Sequence, residues 1–278
     1  MKNVWKQLGK SVCYFFLFLG MQIIVSFVGM FAIGFMLGVQ ASMGGSVDQQ
    51  LLAAQLEEAT LRNAVTLTMV ADLLSVVFLM IFFKIRKKKW TQEANLNRIP
   101  AKSIPLLVVA AVGLACCSNG VLNLLPASLL ESYMEASGGL FEEYTILSLI
   151  AEVIAIPFAE EIFFRGMILS RLKKAMPLPV AIILSSFAFG LIHGQILWII
   201  YTFLVGCVFA LVAEKTGSVT SSVIMHMIFN LFGFVLSLWE GDSSVPIFAV
   251  MTLIGIVVLA VSGYLIFKKD VTQDRVTA

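Results

Sequence analysis

The stretch KAMPLPVAIILSSFAFGLIHGQILWIIYTFLVGCVFALVAE, residues 174–214, has no charged side chain between Lys174 and Glu214. About 20 apolar residues at ~1.5 Å rise cross the ~30 Å hydrocarbon core of a bilayer, so this run belongs in a membrane. It is long enough for two short crossings joined by a tight turn near Gly194 to Leu197. A re-entrant hairpin would serve equally well, because either arrangement returns Lys174 and Lys215 to the same side. Working outward, charge-free runs recur from Lys10 to Asp48, Lys102 to Glu131, Lys215 to Glu240 and Asp242 to Lys268. Two more spans carry internal charges: Ala64 to Phe83 with Asp72, and Thr145 to about Leu172 with Glu152, Glu160, Glu161 and Arg165. The expectation is an all-α polytopic membrane bundle of eight transmembrane helices.

Composition agrees. Of 278 residues 59% are apolar and only 13% charged, where a soluble domain has roughly a quarter charged. That balance excludes a soluble globular protein, a nucleic-acid binder and a disordered regulator. The positive-inside rule orients the chain. With the N-terminus and C-terminus both cytoplasmic, the inner face collects every Lys and Arg except Arg165, within a helix, and Arg62, outside. Asp48, Glu57, Glu58, Glu131, Glu135, Glu142, Glu143, Glu240 and Asp242 fall in the outer loops. A multi-pass protein of the cell membrane, a bacterial plasma membrane, is expected. The first apolar run is far longer than the 7–15 residues of a signal-peptide core, so it reads as a retained helix with no cleavable targeting segment.

Cys13, Cys116, Cys117 and Cys207 lie inside spans and read as packing residues. The run Lys84 to Lys89 anchors a helix end or binds an anionic lipid or partner. The segment Asp48 to Asn63, with Leu51, Leu52, Leu56 and Leu61 among Gln and Glu, reads as a short amphipathic helix on the outer surface. The sequence contains no HExxH zinc-protease motif.

Charges in the hydrocarbon zone are costly and usually functional. In Glu160-Glu161-Ile162-Phe163-Phe164-Arg165, residues 161 and 165 stack on one helical face and can pair, while Glu160 points about 100° away and stays unneutralised. A buried carboxylate of that kind suits a general base; a structural network tying helices together is the other reading. Phe189 and His193 are four apart, as are His226 and Asn230. His193 alone would read as a core histidine bonded to a carbonyl, but His226 and Asn230 aimed into the bundle together suggest a site. Counted from the inner boundary, Glu160, His193, His226 and Asn230 all lie roughly 14–22 Å deep. Pro157 lies between Glu152 and Glu160, where it can kink the helix and help open a cavity. Asp72 and Glu152 read as structural, Asp72 without an identified partner.

Taken in order, EExxxR, FxxxH and HxxxN on successive helices resemble the CAAX protease and bacteriocin-processing (CPBP) family, also called Abi or type II CAAX prenyl endopeptidase-like proteins. The resemblance covers roughly Ile146 to Leu238 and divides the chain into N-terminal helices (1–144), a catalytic core (145–240), and a final helix with its tail (241–278). It implies intramembrane peptide-bond hydrolysis, with Glu160 activating water assisted by His193. His226 and Asn230 would stabilise the oxyanion, Glu161 and Arg165 would orient the base, and Phe189 would support the site. Members are commonly labelled metalloproteases. A divalent metal such as zinc would take Glu160, His193 and His226 and leave one position for water. Asn230 beside His226 suits hydrogen bonding better than zinc ligation, so a reaction without cofactor is favoured. The implied partners are the lipid bilayer and a peptide or membrane-protein substrate, in bacteriocin processing, immunity or signalling. The competing reading is a non-catalytic immunity factor or a regulator docked on a membrane partner.

Overall fold

A computed structural model describes residues 2–43, 49–131, 133, 145–238 and 244–268. Asp48, Glu135, Glu142, Glu143, Glu240, Asp242, Lys269 and Arg275 of the orientation argument lie outside the described residues. Among the described residues the regular structure is helical, with no strand. The principal helices are α1 (Lys2–Met43), α2 (Gln49–Ile85), the short α3 (Trp90–Glu93), α4 (Ile104–Asn123), α5 (146–172), α6 (Leu178–Leu191), α7 (Ile196–Thr216), α8 (Val219–Ser237) and α9 (Val245–Lys268). Six of them, α1, α2, α4, α7, α8 and α9, are long and apolar enough to cross a membrane. The residues of the other two expected spans are helical: α5 alternates α and π turns, and α6 has 14 residues covering about 21 Å, short of the ~30 Å of a bilayer core.

Helix α5 is the hub, with α1, α2, α6, α7 and α8 all packing on it. One apolar cluster joins Tyr14 and Phe18 of α1, Val76, Leu79 and Phe83 of α2, and Ile162 to Leu169 of α5. Phe18 meets Phe163 and Phe164 at ring-centroid distances of 4.8 and 5.5 Å. A second cluster holds Leu107, Leu114, Phe209, Met225, Phe229 and Ile266 of α4, α7, α8 and α9.

Two local expectations change. Residues 49–63 do not form a separate surface helix; they are the first turns of α2, which runs unbroken for 37 residues. Leu56 of this segment meets α1 at Gly34, as Leu67 further along meets Gly29, so the two long helices pair. Pro157 is accommodated by a π turn, Ala151–Ala155, immediately before it. A wider turn relieves the clash between a proline ring and the preceding carbonyls. The expected turn near Gly194 is present, with Gly194 at φ +76° and the Gln195 side chain capping α7 by accepting from Trp198 N–H at 2.8 Å.

On the basic side, α3 is tied to α5 by the ion pair of Glu93 with Arg171, and Lys88 reaches Glu93 at 2.6 Å. Partial burial pushes the Glu93 carboxyl up, but the hydrogen bonds and charges of Lys88 and Arg171 outweigh it and hold the group below its ordinary value. A depressed folded-state value stabilises the fold above the unfolded glutamate range, and the benefit is lost as pH falls through the folded value. Glu93→Gln should therefore lower thermal stability in detergent by about 1 kcal/mol at pH 7. The difference from wild type should close as the pH falls well below the ordinary glutamate range; a gap that persists there would refute the role of the ionised carboxylate.

Candidate active site

The site grows from α5. Its α turn Ile156–Glu161 carries Glu160 and Glu161, and the π turns Ile162–Leu169 carry Arg165. The Arg165 Nη1 donates to Glu161 Oε1 at 2.7 Å, and both side chains are 0% exposed. A buried ion pair needs further partners to offset lost hydration. Arg165 finds them on two neighbouring helices: Nη2 donates to the Gly206 carbonyl of α7 at 2.8 Å, and the guanidinium lies 4.6 Å from the Phe189 ring centroid and 5.6 Å from that of Phe209. A side chain at 206 would not fit, since a Cβ there would lie 2.9 Å from Nη2 and 3.0 Å from the Phe189 ring.

Glu161 Oε1 also accepts from His226 Nδ1 at 3.0 Å. Because a carboxylate only accepts, this bond places a proton on Nδ1 and turns Nε2 toward Glu160, whose Oε2 is 3.8 Å away. That separation is beyond a direct hydrogen bond. Phe209 lies face-on to the imidazole at 4.7 Å and Phe189 meets it edge-on at 5.9 Å. His226 is thus bracketed by two carboxylates and two aromatic rings, and Glu160 is the carboxylate left outside the arginine pair.

His193 lies in the turn after α6. Its Nδ1 donates to the Phe189 carbonyl at 3.0 Å, the backbone bond expected of a core histidine, and this leaves Nε2 as an acceptor. Its ring meets Phe189 at 5.2 Å and Trp198 at 5.5 Å. One phenylalanine ring therefore touches both histidines.

Asn230 has a partner that the sequence did not suggest. In the π turn Ala151–Ala155, Ile156 N–H bonds the Ala151 carbonyl, five residues back. The next bond in that register would run from residue 157 to the Glu152 carbonyl, but Pro157 has no N–H. Asn230 Nδ2 donates to the Glu152 carbonyl at 2.8 Å and so satisfies the acceptor that the proline orphans. Asn230 is thereby held against α5, one amide hydrogen remaining.

Asp72, which had no identified partner, is drawn to the same place. It is fully buried, Oδ1 accepts from Gln22 of α1, and Oδ2 has no hydrogen-bond partner among the described residues. Helix α2 packs on residues 151–161 of α5, which brings the Asp72 charge within electrostatic reach of Glu160. The sequence signal was the acid inside a span; which helix it would face was not readable.

Six helices of membrane-crossing length packed around a buried cluster of carboxylates and an imidazole define the class: an all-α polytopic membrane bundle with a polar centre inside it. Residues 142–232 match the family model described as type II CAAX prenyl endopeptidase Rce1-like. Over those residues, about a third of its length, the chain carries a domain similar to that family, and the EExxxR, FxxxH and HxxxN motifs all lie within it. No curated protein and no solved structure gives a match.

Among the described residues no three His, Cys, Asp or Glu side chains gather as a metal-binding group. His226 Nδ1 is bonded to Glu161 and His193 Nδ1 to the Phe189 carbonyl, so the Nε2 atoms of both, with Glu160, are what could hold a metal.

Arg165→Met should cost about 3–5 kcal/mol by leaving Glu161 as an uncompensated buried charge. The double variant Arg165→Met with Glu161→Gln should recover a large part of that loss in a thermal-unfolding comparison in detergent. A double variant as unstable as the single one would show that the guanidinium matters for packing alone.

Proposed function

We propose that the protein is an intramembrane endopeptidase that hydrolyses a peptide bond in a membrane-associated peptide or protein. The observation that carries this reading is the asymmetry of the two adjacent glutamates: Glu161 is bound to Arg165 and His226, while Glu160 faces His226 with its charge unmatched by an arginine contact. In the reaction Glu160 takes a proton from water as the water oxygen bonds to the carbonyl carbon. His193 Nε2, free because Nδ1 is committed to a carbonyl, holds the same water. In its doubly protonated form, with Nδ1–H held by Glu161, His226 donates from Nε2 to the developing oxyanion, joined by the remaining amide hydrogen of Asn230. Glu160 then passes its proton to the amine nitrogen as the C–N bond breaks. Preorganised donors in a water-poor site strengthen this stabilisation. Water supplies the proton that Glu160 carries to the leaving amine, so the reading is of a glutamate-dependent hydrolase. Eight crossings, with α5 and α6 added to the six long helices, would place both chain termini on the basic face of a bacterial plasma membrane. Substrates in bacteriocin processing, immunity or signalling, prenylated or not, fit the same site.

Glu160→Gln should leave the melting temperature within a few degrees of wild type and abolish cleavage. The check is a mass-spectrometric comparison of peptides released from membranes of cells expressing either form at matched protein level. Products specific to the wild type support the enzyme; identical peptide profiles would overturn it in favour of a non-catalytic immunity factor or a regulator of a membrane partner.

Once such a product is identified, its formation by purified protein should survive chelation with 1,10-phenanthroline at unchanged rate. Loss of activity that added zinc restores would overturn the metal-free mechanism.

A further inference from the structure

The basic end of α2 carries a cavity that the proposed hydrolysis does not use. It has a volume of about 540 Å³, and its lining joins the apolar Val77, Met80 and Ile81 to Lys84, Lys88 and Lys89, with Trp90 and Thr91 completing it. The chain makes this shelf by turning sharply after α2. Lys87 adopts φ 55°, Lys88 N–H closes onto the Phe83 carbonyl at 2.9 Å, and α3 folds back under the helix end. Trp90 packs against the core, and Glu93 anchors α3 to Arg171, so the floor is held in place.

The lining is amphiphilic in a definite order. Val77, Ile81 and Lys84 follow at helical spacing, so apolar wall passes into an ammonium group over about 10 Å from Val77 to Lys84. Lys88 is matched by Glu93, but Lys84 and Lys89 have no ion-pair partner among the described residues. The surrounding field is positive as well. Lys174, in the loop after α5, is held below its ordinary value by burial and by Arg171, with Glu93 opposing and Lys173 and Lys88 adding to the depression. Uncompensated cations at a membrane interface beside an apolar wall call for a ligand with an anionic head and a hydrocarbon tail.

We propose that this cavity is a binding site for an anionic phospholipid, its phosphate between Lys84 and Lys89 and one acyl chain along Val77, Met80 and Ile81. The site lies outside residues 142–232 and is independent of any hydrolytic activity. Delipidated full-length protein in detergent is titrated with phosphatidylglycerol, with phosphatidylcholine and with inorganic phosphate, reading retained lipid by native mass spectrometry and stability by thermal melting. Phosphatidylglycerol should be retained and raise the melting temperature in preference to phosphatidylcholine. Lys84→Gln with Lys89→Gln should weaken that binding about thirtyfold, the equivalent of about 1 kcal/mol for each basic residue. Removing two charges elsewhere on the same face, by Arg98→Gln with Lys215→Gln, should leave the preference intact. The proposal is overturned by equal retention of the two lipids, by equal losses in the two double variants, or by inorganic phosphate alone reproducing the full thermal shift.

Discussion

Glu161 is shared by Arg165 and His226 in a region with almost no access to water, and the bundle is arranged to make that sharing tolerable. The arginine needs a carbonyl, which only a residue without a side chain at 206 can present so closely, and it needs aromatic faces, which Phe189 and Phe209 provide. The imidazole needs a fixed orientation, which the carboxylate supplies. One buried anion thus dictates small or aromatic residues on α6 and α7 and a histidine on α8. Apolar helices in lipid have no strong directional preference for one another, so such polar contacts are what select one packing.

The family match begins at residue 142, yet the site is not built from that region alone. Helix α2 packs on the α5 segment that bears Glu160, and α1 supplies Gln22 to the buried Asp72 of α2. Burial of this kind costs energy unless partners are supplied, and α1 supplies the amide.

Much of this was legible in the residue pattern. Charge-free runs located five of the six long helices and the span bearing Asp72 the sixth, the four-residue spacing of Glu161 and Arg165 predicted their ion pair, and the polar clusters on α5, at the end of α6 and on α8 pointed to a shared centre. What the pattern could not carry was the azimuth of one helix about another. For that reason Asp72 had no partner, and Gly206 was one glycine among many. The Leu51 to Leu61 stripe looked like a surface helix because its apolar face suits lipid and α1 equally. Asn230 was read only as an oxyanion donor because its structural bond depends on a π turn, which leaves no distinct mark in apolar periodicity.

The paired π turns of α5 also bear on how the chain can change. Each acts as a residue inserted into an α-helix without a break in the hydrogen-bonded spiral. Deleting one residue from 151–155 would let the segment relax to ordinary α geometry, and everything before it would swing by about 100° relative to Glu160. The Glu152 carbonyl would leave Asn230, and α5 would present one face to α8 and another to α2. Helix α5 therefore tolerates exchange of its apolar side chains far better than any change in its length.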